Sequence, residues 1–198
     1  MESTKRIFID IHTHHQRDTI ISPTMAGVHP WQAEEHTSLP DLSACDIIGE
    51  TGLDYARDIS HEAQERLFRE HLREAERLHK PVVLHVVRAL NDTLRILADY
   101  TLQGVVIHGF IGSPEQATTA LQRGYYLSFG LRSLRSPKSR RAIAITPLDR
   151  LFCETDDEAT ADIAEVYRQV AEIKRIAVDE LLSAIEKNYR ELIVKDDR

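Results

Sequence analysis

Side chains of the types that hold metal ions fall where apolar, β-branched runs end. Ile7-Phe-Ile-Asp-Ile11 runs into His12-Thr-His14, and Asp46-Ile-Ile-Gly49 runs into Glu50. Pro81-Val-Val-Leu runs into His85, Gly104-Val-Val-Ile into His108, and Arg150-Leu-Phe-Cys153 into Glu154-Thr-Asp156. Alternate residues of a strand face the same way, so His12 and His14 can serve one ion together. A single histidine at a strand end is ordinarily just a satisfied polar group, and His-x-His alone arises by chance. Five strand ends that all carry His, Asp or Glu are hard to reach by accident. Carboxylates turned into a barrel need a charge partner, because burying them alone costs several kcal/mol. Four imidazoles (His12, His14, His85, His108) and two carboxylates (Glu50, Asp156) exceed the needs of one tetrahedral ion. A carboxylate between two ions can bridge them, and ions ~3.5–4 Å apart suit hydrolysis, above all of phosphate esters. The expected cofactor is therefore two divalent ions per chain, drawn from Zn, Mn, Mg, Fe, Co or Ni. Mixed His/carboxylate ligation favours the transition ions over Mg.

Those ligands need strands whose C-terminal ends converge. Strands are expected at 7–11, 25–29, 46–49, 81–85, 104–108, 125–129 and 150–153. Helices are expected over 61–79 and 90–98, from Ser113-Pro114 to Gly124, from Ser136-Pro137, and over 159–174 and 178–192. Ser113, Pro114 and Gln116 spell a capping box with proline in the first turn. From residue 81 onward strands and helices alternate with short links, which implies a parallel sheet or barrel whose active site lies at the strands' C-terminal ends. The chain has 198 residues, about fifty short of a typical (β/α) barrel of ~250. The expectation is one domain over 1–198, a distorted TIM-like barrel reduced to about seven full strands. A seam left open would expose backbone hydrogen-bonding groups; a second subunit, making a homo-oligomer, or residues 15–45 could cover it.

Composition narrows the classes further. Apolar residues make up 42% and charged residues 29%, as in ordinary globular proteins. No run approaches the ~18 apolar residues of a membrane span, so no membrane partner is expected. Met1-Glu-Ser-Thr-Lys-Arg6 has no apolar signal core, and the only cysteines are Cys45 and Cys153; both facts point to the cytoplasm. The net charge of −7 argues against polyanion binding through bulk charge.

The motifs, in order, resemble the TatD family of metal-dependent hydrolases, a branch of the amidohydrolase-like barrels. The matching elements are Asp10-Ile-His12-Thr-His14, Gly27-Val-His29-Pro30, Gly49-Glu50-Thr-Gly52-Leu53-Asp54, Pro81-Val-Val-Leu-His85, His108-Gly-Phe-Ile-Gly112-Ser113 and Pro147-Leu-Asp-Arg-Leu-Phe-Cys-Glu154-Thr-Asp156. The resemblance covers residues 7 to about 157. It implies a metallo-dependent hydrolase barrel that cleaves phosphodiesters of DNA with a metal-activated water, as a deoxyribonuclease or exonuclease. It also implies that His12, His14 and Asp156 hold one ion, that His85 and His108 hold the other, and that Glu50 bridges. Asp156 would take the proton of the attacking water. His29 and Asp54 match positions beside the ligands or substrate; for His29, orienting the Gly-x-His-Pro turn is an equal reading. The chain departs from the family in the first half. Residues 15–26 are too few for the helix–strand–helix that the family usually carries there, so one βα unit is missing or reduced to Thr19–Ser22. The segment after Asp156 is also short, and the basic residue after the fourth-strand histidine falls one place late, at Arg88.

Arg132, Arg135, Lys138, Arg140 and Arg141 crowd ten residues. Arg132 and Lys138 are the better candidates for phosphate contacts, with Arg88 beside them; Arg140 and Arg141 read as a solvated helix face. Trp31 and Tyr55 could stack a base or simply pack. Two alternatives stay in view. One is an amide or ester hydrolase, deacylase-like, on the same centre. The other is a non-catalytic scaffold, which the intact ligand set disfavours. A histidinol-phosphatase-like phosphoesterase would explain His-x-His but neither Gly-Glu-x-Gly-Leu-Asp nor Glu-Thr-Asp.

Overall fold

The computed structural model describes residues 7–36 and 38–193. Six parallel strands form one sheet in sequence order: β1 (Met25–Ala26), β2 (Ile47–Asp54), β3 (Val82–Val87), β4 (Val105–Ile107), β5 (Tyr126–Phe129) and β6 (Leu151–Cys153). Helix α1 (His61–Leu78) links β2 to β3, α2 (Leu90–Leu97) links β3 to β4, and α3 (Pro114–Leu121) links β4 to β5. Helices α4 (Leu131–Arg135) and α5 (Pro137–Ile145) precede β6, and α6 (Ile163–Lys174) and α7 (Val178–Ile193) follow it.

The strand expected at 7–11 takes a looser form. Ile9 makes a single parallel bridge to Ile21, and Thr13 another to Asp156. Asp10 N–H donates to Ile21 O at 2.9 Å, Ile11 N–H donates to Cys153 O at 3.2 Å, and Asp156 N–H donates to His12 O at 3.0 Å. Residues 8–14 therefore run along the β6 edge of the sheet and pair on their other side with Ile21, just ahead of β1, so the fold is a TIM-like barrel of six strands plus this seventh stave. A regular ladder needs consecutive pairs, and the irregular connection over 15–24 offers only Ile21. The shortened βα unit is thus reduced to one bridging residue.

Strand alternation sorts the barrel interior from the helix-facing layer. Val83 packs in one core cluster and Val82 and Leu84 in the other, beside Phe68, Leu72 and Leu94 of α1 and α2. His85 shares Val83's parity and so turns inward; His108 shares that of Val106. Side-chain caps mark the starts of α1 and α3. Ser60 accepts from Ala63 N–H at the head of α1, and Ser113 and Gln116 form the reciprocal capping box of α3 behind Pro114. Helix α4 was not expected; its five residues are too few for a periodic signal.

Two features of β2 aim Glu50. The pairing of β2 with β3 slips between Ile48 and Thr51, a bulge of the kind that redirects a side chain. Both flanking glycines are forced. Gly49 has φ +154°, and a Cβ there would lie 2.5 Å from Val83 O; Gly52 has φ +139°, with His85 O at 2.1 Å.

Candidate metal centre

Glu50 is the hub. Its Oε1 lies 2.8 Å from His85 Nδ1, 2.7 Å from His108 Nε2 and 3.3 Å from His29 Nε2. Its Oε2 lies 3.4 Å from His12 Nε2 and 3.6 Å from His14 Nε2. Asp156 Oδ1 completes the second group, 3.5 Å from His12 Nε2 and 3.7 Å from His14 Nε2. The two carboxylate oxygens of Glu50 thus face two different sets of nitrogens.

Both carboxyls sit in surroundings that favour the charged form. Burial opposes ionisation of Glu50, but His108, His12, His14 and His29 outweigh it and hold the carboxyl well below the usual carboxylate range. Asp156 is likewise lowered, by His12 and the His108 charge against the cost of burial. Burial opposes the charging of His12 and His108 too. Asp156 and Glu50 nonetheless raise His12, and Glu154 and Glu50 raise His108. Glu50 draws His14 upward directly. These are buried anions gathering positive charge, the demand that a divalent cation satisfies.

The donor set fits such ions. His12 is 3% exposed, yet neither ring nitrogen has a hydrogen-bond partner; a buried imidazole left so is expected where another ligand takes the lone pair. The 3.4–3.7 Å separations around His12, His14, Glu50 Oε2 and Asp156 Oδ1 match the roughly 3.4 Å edge of a tetrahedron with ~2.1 Å arms. Four overlapping groups have ligand atoms mutually within 4.8 Å: His12/Glu50/His108, His12/His14/Asp156, His29/Glu50/His85 and His108/Glu154/Asp156.

The six candidate ligands read from the sequence converge here, and two residues join them. His29 was placed on the substrate side or in the turn. Its Nδ1 accepts from Trp31 N–H at 3.2 Å, which orients the turn, while its Nε2 faces Glu50. Glu154 is fully buried; Gly109 N–H donates to its Oε1 at 2.6 Å, and His108 Nδ1 lies 3.4 Å away. Its inward aim was readable, because Glu154 and Asp156 are two apart. Between them, Thr155 turns the other way. Its N–H donates to Asp10 Oδ1 at 3.1 Å and its hydroxyl to Asp10 Oδ2 at 2.6 Å. Burial pushes the Asp10 carboxyl up to about 7 despite those bonds. Asp10 thereby ties the His12 stave to the end of β6.

The other expected residues scatter. Asp54 Oδ2 lies 3.1 Å from His85 Nε2 and accepts from Trp31 Nε1–H at 2.7 Å, so it orients the imidazole. Arg132 reaches the mouth, with Nη1 3.7 Å from Asp156 Oδ2, but Asp157 holds its Nη2 at 2.8 Å. Arg88 lines an adjoining cavity of about 300 Å³ with Tyr55, Ile111 and Gly112 and makes no ion pair with the described residues. Lys138 is exposed on α5 and is not brought to the cluster. Tyr55 stacks on His61 at 3.8 Å between ring centroids, so that face is taken.

A parallel barrel whose strand ends deliver histidines and carboxylates to one point defines a metal-dependent hydrolase. A family model described as TatD related DNase matches residues 9–194, and the chain belongs to that family. It is 31% identical over 200 residues to the uncharacterized metal-dependent hydrolase YcfH of Escherichia coli K12, covering 89% of this chain and 75% of that protein. It is 38% identical over 145 residues to the 3'-5' ssDNA/RNA exonuclease TatD of Cronobacter turicensis, covering 66% and 55%. The crystal structure of YjjV, a TatD homolog from Escherichia coli K12, superposes with a TM-score of 0.77 at 28% identity, covering 90% of this chain and 78% of that one. No helix among the described residues is long and apolar enough to cross a membrane.

Proposed function

We propose that this chain hydrolyses phosphodiester bonds of DNA at a centre of two divalent ions. The observation that carries the reading is the split of Glu50: Oε2 toward His12 and His14, Oε1 toward His85, His108 and His29. Such a carboxylate is suited to bridge two ions. His12, His14 and Asp156 would hold one, and His85 with His108 or His29 the other. When bound, a pair of such ions lowers the pKa of water towards 7 and neutralises the charge that develops on phosphorus-bound oxygens. The nuclease name of the Cronobacter relative supports the choice of substrate.

The chain's own groups do the remaining work. Asp156, kept ionised by its histidine neighbours, accepts the proton of the attacking water and returns it to the departing sugar oxygen. Asp54 holds the His85 ring in one orientation. Arg132 leans over Asp156 Oδ2 and limits where that carboxylate can swing.

The test is a metal-supplemented assay on end-labelled single-stranded DNA. The wild type should cleave, and Glu50→Ala and His108→Ala should both lose cleavage. Equal cleavage by all three proteins would overturn the reading. So would turnover of an ester or aminoacyl substrate with no action on DNA.

A further inference from the structure

Trp31 is the chain's single tryptophan, and it sits half-exposed beside the cluster. Its indole edge is fixed by Asp54, the carboxylate that also orients His85. Its ring centroid lies 4.5 Å from that of His29 and 5.9 Å from that of His85. The Arg57 guanidinium carbon lies over the ring, 4.0 Å from the centroid, the arrangement of a cation–π pair. A base therefore meets Arg57 on that face rather than bare indole.

Arg57 differs from Arg132 and Arg135. Arg132 is shared among Asp156, Asp157 and Glu158, and Arg135 pairs with Glu158. Arg57 is exposed and has no carboxylate partner among the described residues. An indole face fixes the plane of a guanidinium without consuming its N–H donors, so the fork stays free for a bidentate anion. The stacked pair is carried on Trp31, whose ring neighbour His29 faces Glu50, and so lies beside the same cluster.

We propose that Arg57, held flat by Trp31, is the subsite for a phosphate next to the scissile one. The enzyme would then prefer a nucleic-acid strand to an isolated diester. This rests on the phosphodiester reading above and names the residue that grips the strand. Arg57 is a positioning residue; it touches the substrate's neighbouring phosphate and takes no proton.

Trp31 supplies its own signal. A phosphorothioate-linked oligothymidylate, which resists hydrolysis, is titrated into the metal-loaded protein while tryptophan emission is followed. The wild type should respond saturably. Arg57→Ala should bind about tenfold more weakly, and its slope of log affinity against log salt should be shallower by about 0.7, one single-strand phosphate contact. Arg57→Lys should keep the slope and recover part of the affinity, because a point charge replaces the stacked fork. Turnover of bis(p-nitrophenyl) phosphate, which has no second phosphate, should be the same in wild type and Arg57→Ala. Wild-type affinity and slope in Arg57→Ala would overturn the proposal, as would an equal loss on both substrates or no wild-type response. Binding that behaves as expected without any cleavage of DNA would remove the hydrolase reading and leave the subsite standing.

Discussion

Residues 82–193 deliver His85, His108 and Asp156 from β3, β4 and β6, inside regular β/α units. Residues 7–60 deliver His12, His14, His29 and Glu50 from a stretch in which β2 is the one strand longer than two residues among the described residues. In the later half, ladder register and alternation place His85 and His108, while Asp156, at φ +54° past the end of β6, is held by the His12 stave. In the earlier half, buried polar side chains stand in for the missing ladder. Asp10 clamps Thr155. His71 of α1 accepts Val28 N–H on Nε2 at 2.9 Å and holds Leu67 O from Nδ1, one residue before His29. Gln64 of α1 accepts Asp54 N–H at 2.7 Å and donates to Asp54 O at 3.1 Å. Where a barrel loses a βα unit, helix side chains take over the placing of site residues.

Acid loosens the earlier half first. His71 must be neutral to accept from Val28, and burial, with His36 adding to it against Leu67 O, pushes it down to about 4 from an ordinary 6.5. The unfolded chain therefore binds a proton that the folded chain refuses, so stability is full above pH 6.5 and falls as pH drops towards 4. The loss is about 3 kcal/mol in all and about 2 kcal/mol by pH 5. Urea midpoints at pH 7 and pH 5 should show it in the wild type, and His71→Gln should lack that component. An equal drop in both proteins would remove His71 as the clamp.

A smaller effect separates the halves more sharply. Gln64→Leu leaves the N–H and C=O of Asp54 unpaired, at about 1–3 kcal/mol. It should also lower activity or metal affinity about 10–100-fold by loosening the group that orients His85. Asp162→Ala removes the α6 cap, which accepts from Ala164 N–H, and should cost about 1 kcal/mol with activity unchanged. Equal activity in the two variants would say that α1 does not place the site.

The later half was largely legible because each element there follows local rules. The α1, α2 and α7 boundaries fall within two residues of those read from caps and periodicity; α3 starts at its capping box but ends at Leu121, short of Gly124. The placement of His85 and His108 follows from alternation. The first half was harder because its order is non-local: the Asp10–Thr155 contact spans 145 residues. A partial signal existed. Gln64 and His71 are polar yet lie on the same apolar stripe of α1 as Leu67, Phe68 and Ala75, and polar residues on a buried face need partners. His29 joined Glu50 because the Gly-x-His-Pro turn folds over β2, which sequence spacing does not encode. Lys138 read as a mouth residue because α4 was missed; that helix intervenes and carries it outward on α5.

The central claim is that Glu50 stands between two ions, one served by each of its oxygens. Crystals grown with manganese, with diffraction collected at the manganese absorption edge, test it directly. Two anomalous peaks should flank Glu50, one among His12, His14 and Asp156 and one beside His85. A single peak, or none within reach of Glu50, would contradict it.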